Sequence, residues 1–122
     1  MRILALALLL LLAGCARPPQ LSTSLNFEKK PDLIIVKVRV ANLEDRATTP
    51  IKVEVTAQPH VDGRWQRPIT VLDPAAFVLN RHEQRDLMKY WRIDADAVRT
   101  TLVLKEQETG HILKSERAER KW

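Results

Sequence analysis

Leu33-Ile34-Ile35-Val36-Lys37-Val38-Arg39-Val40-Ala41-Asn42 is the stretch on which the fold turns. Ile34, Val36, Val38 and Val40 fall on alternate positions, with Lys37 and Arg39 between them. Successive side chains of a strand point to opposite faces, so a period of two built from β-branched residues encodes a strand with one face in a core and one in water. A helix would scatter these valines around its circumference.

The same alternation extends in both directions. Upstream, Leu21, Thr23, Leu25 and Phe27 alternate with Ser22, Ser24 and Asn26, a strand that stops at the polar break Glu28-Lys29-Lys30-Pro31-Asp32. Downstream, Ile51, Val53, Val55 and Ala57 face inward against Lys52, Glu54 and Thr56. Asp62-Gly63 then predicts a two-residue hairpin, because both central positions of such a turn need positive φ. The returning segment, Trp65 to Val71, contains Pro68, which cannot donate a ladder hydrogen bond, so this strand is short or lies at an edge. Ala75 to Leu79 reads as a further short strand closed by the turn Asn80-Arg81-His82-Glu83. Arg85 to Ile93 fits a strand face through Leu87, Trp91 and Ile93, and a short helix through Leu87, Met88 and Trp91. The strand is preferred, with Trp91 inward and Tyr90 outward. Val98 to Leu104 and Gly110 to Ser115 form a last hairpin with Leu102, Leu104 and Ile112 as core candidates, and the charged residues that follow, 116–122, read as a tail.

Seven or eight short strands with turn signals every eight to twelve residues, roughly, in a chain of this size define an all-β class: a small antiparallel two-sheet sandwich. The long second strand ending in Ala41-Asn42, the third led by Thr49-Pro50, and Phe77-Val78-Leu79 entering a polar turn give it an outline that resembles the immunoglobulin-like sandwiches of small periplasmic lipoproteins. It departs from antibody-type domains in having no Cys…Trp…Cys pattern and no tyrosine corner. A transthyretin-like sandwich and a small open barrel are the alternative arrangements.

Met1-Arg2, the apolar run Ile3 to Leu11, and Leu12-Ala13-Gly14-Cys15 resemble the signal peptide and lipobox of bacterial lipoproteins. Charge, apolar run, small pair and the single cysteine stand in the required order. A membrane-spanning helix is the rival reading, and the run is well short of the ~20 residues that one requires. The resemblance implies that 1–14 is a signal peptide, that Cys15 carries a diacylglycerol and, after cleavage, a third acyl chain, and that its thiol is closed to catalysis. Two or three chains make such an anchor effectively permanent. Ala16, where an aspartate would retain a lipoprotein in the inner membrane, implies the periplasmic face of the outer membrane. Residues 15–20 are then the acylated cysteine and a short tether stiffened by Pro18-Pro19, which reaches at most about 20 Å. Residues 21–115 are the sandwich.

No cysteine beyond Cys15 is present, so no internal disulfide can brace the domain and its core has to suffice. A formal charge of +5 is a mild excess. Together with the envelope address it suits anionic headgroups better than nucleic acid.

The inventory for catalysis is thin. His60, His82 and His111 lie on separate turns or strand starts without ligand spacing, Asp94 and Asp96 lack the rest of a calcium loop, and three glycines cannot build a phosphate loop. No catalytic set, metal or cofactor is therefore expected. Recognition features are richer. Trp65 lies between Arg64 and Arg67, an aromatic and arginine composition favoured at interface hot spots, and Trp122 ends a basic stretch. Arg64, Trp65, Arg67 and Trp122 are thus the candidate partner-binding residues, against the plainer expectation that Trp65 packs over the end of the sandwich and Trp122 is a free end. The expected function is that of a non-catalytic anchored protein that binds and stabilises or localises a membrane-proximal envelope protein or assembly. A module binding a lipid or glycan, or serving in envelope stress, is the alternative, and it would need a pocket between the sheets.

Overall fold

The computed structural model describes residues 20–122, so the segment read as a signal peptide, Cys15 and most of the expected tether lie outside the described residues. Eight strands run through the described chain: β1 (Leu21–Lys30), β2 (Leu33–Asn42), β3 (Ile51–Val61), β4 (Arg64–Trp65), β5 (Ile69–Leu72), β6 (Gln84–Trp91), β7 (Ala97–Glu106) and β8 (Ile112–Lys121). They form two antiparallel sheets, β1-β2-β6 and β4-β3-β7-β8, with β5 continuing the β4 edge of β3. The chain crosses between sheets after β2, β5 and β6, which is the immunoglobulin-like sandwich. The sheets share no hydrogen-bonded strand among the described residues, and the open-barrel arrangement is thereby set aside.

Ile34, Val36, Val38 and Val40 of β2 are buried against Ile51, Val53, Val55 and Ala57 of β3 and Val98, Leu102 and Leu104 of β7, so the alternation in β2 and β3 carries the core. Phe27, Leu87 and Trp91 pack at its margin, and Tyr90 is exposed. Asn42 is the exceptional buried polar side chain at one end: its amide donates to the carbonyls of Arg46 (2.7 Å) and Asn80 (3.0 Å), and its oxygen accepts from the Glu44 N–H (3.0 Å). That network ties together the loops of the pole where the described chain begins.

Four expectations need correction. Residues 116–122 are no tail, because β8 runs to Lys121 and pairs with β7 along its length. The charges there are tolerable because β8 is an edge strand whose inward side chains reach across to β1: Glu116 accepts from Thr23 Oγ1 (3.0 Å) and Lys114 Nζ donates to the Leu21 carbonyl (3.4 Å). Ile112 is exposed, since a bulge beside Leu104 and Lys105 shifts the facing so that Leu113 turns to the core instead. Ala75–Leu79 is not a strand. Phe77 exchanges two backbone hydrogen bonds with Ile51 and the segment otherwise docks through buried Phe77 and Leu79. Finally, Glu28, Lys29 and Lys30 belong to β1, and the chain reverses only at Pro31-Asp32, where Pro31 precedes an Asp32 with φ of 60°. The return after the hairpin is split by Gln66-Arg67-Pro68 into β4 and β5, as the proline predicts.

The free edge of β6 is guarded from within. Register places Arg85 opposite Val40 and Lys89 opposite Val36, on the core-facing side, and the Arg85 guanidinium covers the Phe77 ring at 4.5 Å. Inward-pointing charges on an edge strand oppose the addition of another strand.

Candidate protein-docking surface

Asp62 (φ 53°) and Gly63 (φ 75°) supply the two positive dihedrals of the hairpin, and the turn sets Trp65 directly opposite His60. Their rings meet edge to face with centroids 4.9 Å apart. His60 Nδ1 lies 2.6 Å from Asp96 Oδ1, in a hydrogen bond that holds the Asp96 carboxyl below its ordinary pKa. From the neighbouring row of β7, the Arg99 guanidinium lies 3.9 Å from the centre of the Trp65 ring, while its Nε pairs with Glu119 at 3.7 Å. Trp65 is thus a half-buried ring clamped between an imidazole edge and a guanidinium.

Trp122 reaches the same place from the other end of the chain. Its backbone N–H donates to the Asp96 carbonyl at 2.9 Å, and Lys29 Nζ stands 5.6 Å from its ring centre. Lys29 is itself held by the Ala95 carbonyl and by Asp94 at 3.6 Å. Trp65 and Trp122 consequently line one depression of about 300 Å3 with His60, Asp96, Arg99 and Lys121. No serine, threonine or cysteine is among the residues lining it. The depression thus combines aromatic area, the hydrogen-bonded His60 and Asp96, and the cations Arg99 and Lys121 paired with the Glu119 carboxylate.

The structure therefore joins Trp65 and Trp122 and parts them from Arg64. Neighbours on a strand face opposite ways, so Arg64 turns to the other side of β4. Arg64 and Arg67 are exposed and form no ion pair among the described residues, and the arginine that stacks on Trp65 is Arg99. Sequence reasoning missed His60, Asp96 and Arg99 as members of the cluster. The first was legible, since a two-residue turn at Asp62-Gly63 fixes the pairing of His60 with Trp65. Arg99 was not, because its place depends on the register between β3 and β7. Cys15 lies outside the described residues. His82 and His111 are exposed at the opposite pole, His82 Nε2 being 3.4 Å from Asp45 Oδ1. Among the described residues no group of three or more His, Cys, Asp and Glu side chains could hold a metal ion.

No protein-family model and no curated protein matches the chain. Solved structures do. A CARDB domain from Pyrococcus furiosus, crystallised in complex with di-metal ions, superposes with a TM-score of 0.54 at 19% identity over 84% of this chain and 87% of that one. The solution structure of the same domain gives 0.56 at 18%, covering 84% and 94%. The alkylpurine DNA glycosylase AlkC of Pseudomonas fluorescens, bound to DNA, matches at 0.56 and 11%, over 85% of this chain and 31% of that one. At these identities the likeness is one of fold, and it confirms the immunoglobulin-like sandwich.

Proposed function

We propose that this chain is a non-catalytic lipoprotein of the bacterial envelope, anchored through Cys15 at the periplasmic face of the outer membrane, that docks a protein partner through the pole bearing Trp65 and Trp122. One observation carries the reading: two tryptophans distant in sequence converge on Asp96 at the pole opposite Gln20, the residue from which the chain leads back to Cys15. Lys29 and Lys30 end β1 at that pole, and a ten-residue strand spans about 33 Å. The tether therefore presents the tryptophans away from the bilayer. Aromatic rings with arginine are the residues that most often dominate interfaces, and large rigid rings bury area at small entropic cost.

The test has two arms in cells. Cys15→Ala abolishes incorporation of a palmitate analogue and leaves uncleaved or mislocalised precursor; uptake of label by that variant refutes the anchor. Trp65→Ala and Trp122→Ala, at matched membrane levels and with melting confirmed, reduce the yield of a specific crosslinked partner, each costing about 2 kcal/mol of binding, a loss of roughly thirtyfold. Undiminished crosslinking in both, with loss instead in His82→Ala or His111→Ala at the opposite pole, refutes the docking pole.

A further inference from the structure

The outer face of the second sheet carries a cross-strand row apart from the tryptophan pole. Pairing sets Thr70 of β5 beside Thr56 of β3, Thr56 beside Thr101 of β7, and Thr101 beside Arg117 of β8. Strands lie about 4.8 Å apart, so the row is a line of three hydroxyls, evenly stepped, that ends in a guanidinium. The next row toward the tryptophans is Gln58, Arg99 and Glu119. Threonines are short and the residues around them long, so Thr56 and Thr101 form the floor of a depression of about 480 Å3 walled by Gln58, Pro68, Arg99, Arg117 and Glu119, the last already engaged by Arg99.

Charge on this part of the face is unbalanced. Arg99 and Lys121 share one carboxylate, Glu119, at 3.7 and 3.9 Å. Arg117 forms no ion pair or hydrogen bond among the described residues, so its guanidinium is the unspent cation of the depression. Farther along the same face Lys52 is neutralised by Asp73 and Lys105 by Glu54.

We propose that this depression receives a carboxylate of an extended, acidic segment of a protein partner. A guanidinium takes a carboxylate through two parallel N–H donors, a geometry that lysine cannot reproduce. The Thr56 and Thr101 hydroxyls and the Gln58 amide both donate and accept, which suits the alternating N–H and C=O groups of an extended peptide crossing the face. A nucleic acid backbone calls for a continuous track of cations, and here one free guanidinium stands between neutral hydroxyls and the Arg99–Glu119 pair. A sugar ring would seek an open aromatic face, and no aromatic side chain is among the residues lining this depression. The inference rests on the reading of the chain as a protein-docking module, and it adds the chemistry of the partner.

The test titrates the full-length chain in detergent micelles with a short fluorescein-labelled peptide of alternating glutamate and valine, and with its glutamine-for-glutamate twin. The acidic peptide binds about tenfold tighter or more, the preference weakens with added salt, and Arg117→Gln removes it while melting like the parent. Arg81→Gln, at the opposite pole, leaves it intact. Equal affinity for the two peptides, a preference that survives Arg117→Gln, or one lost equally in Arg81→Gln overturns the proposal. An oligogalacturonate that binds tighter than the acidic peptide in an Arg117-dependent way also overturns it, in favour of a glycan. The assay uses neither the bilayer nor the natural partner, so its failure leaves the crosslinking test of the docking pole untouched.

Discussion

Val55 and Thr56 are adjacent in β3, and the sandwich predicts opposite fates for the same substitution at the two positions. Val55 is fully buried, with Leu102 beside it on β7 and Leu72 beside it on β5. Val55→Ala removes two methyl groups, about 1.6 kcal/mol of transfer free energy, and the cavity left among these leucines raises the loss to about 2 to 3 kcal/mol. For a domain of about a hundred residues each kcal/mol is worth about 4 to 8 °C, so the melting point should fall by about 10 to 20 °C. Val55→Asp goes further: both flanking side chains are apolar, and an unpaired carboxylate buried there costs several kcal/mol on top of the lost packing. That sum rivals the about 5 to 15 kcal/mol available to a whole domain, so no cooperative transition should remain. Thr56→Asp places the same carboxylate on the outer face, in the depression that Arg117 lines, and should melt within a few degrees of the parent. Far-ultraviolet circular dichroism on heating reads all three. Similar losses for Val55→Asp and Thr56→Asp would refute the assigned facing of β3, and with it the two-sheet core.

Deleting residues 116–122 removes most of β8 from its pairing with β7 and uncovers that side of Val98, Thr100 and Leu102, so the shortened chain should lose its cooperative melt in the same assay; a truncation that melts like the parent would restore the free tail. The Asp96, Asp86 and Glu28 carboxyls all titrate below their ordinary values, chiefly through hydrogen bonds from His60, Arg39 and Lys37 respectively. Their stabilisation is therefore fully present above the ordinary carboxylate range of about 4 and is lost as pH falls through the lowered folded-state values, and denaturant midpoints measured from pH 6 to pH 2 should decline accordingly. Asp96→Asn should shallow that decline and shift tryptophan emission at neutral pH, because the His60 ring that it orients touches Trp65; an emission spectrum unchanged by the substitution would contradict the clamp.

The parts of the fold legible in the sequence are those where one face is dry. β2 and β3 alternate cleanly because each is central in its sheet and presents one side to the core, and Asp62-Gly63 announces its turn because so few residues accept two positive φ values. The edges were harder. β8 shows almost no apolar period, since its inward positions are Lys114, Glu116, Ala118 and Arg120, so only its first part reads as a strand in the sequence and pairing with β7 reveals its continuation to Lys121. For the candidate docking surface, Trp65 and Trp122 stood out by residue type. Their convergence depends on β8 being a strand that delivers Trp122 to Asp96, and Arg99 joins them through register alone. Local pattern names single anchors, while the grouping is set by cross-strand pairing that no local window contains.

Arg85 and Lys89, turned inward on β6, acquire a further meaning under the proposed lipid anchor. On the proposed anchoring, copies held at the same end would meet at a local concentration far above that of free solution. Zipping two β6 edges together would trap four like charges at the seam, so lateral crowding alone would not polymerise the sandwich in the plane of the membrane. Each copy would then keep its tryptophan pole and its threonine row free for the proposed partner.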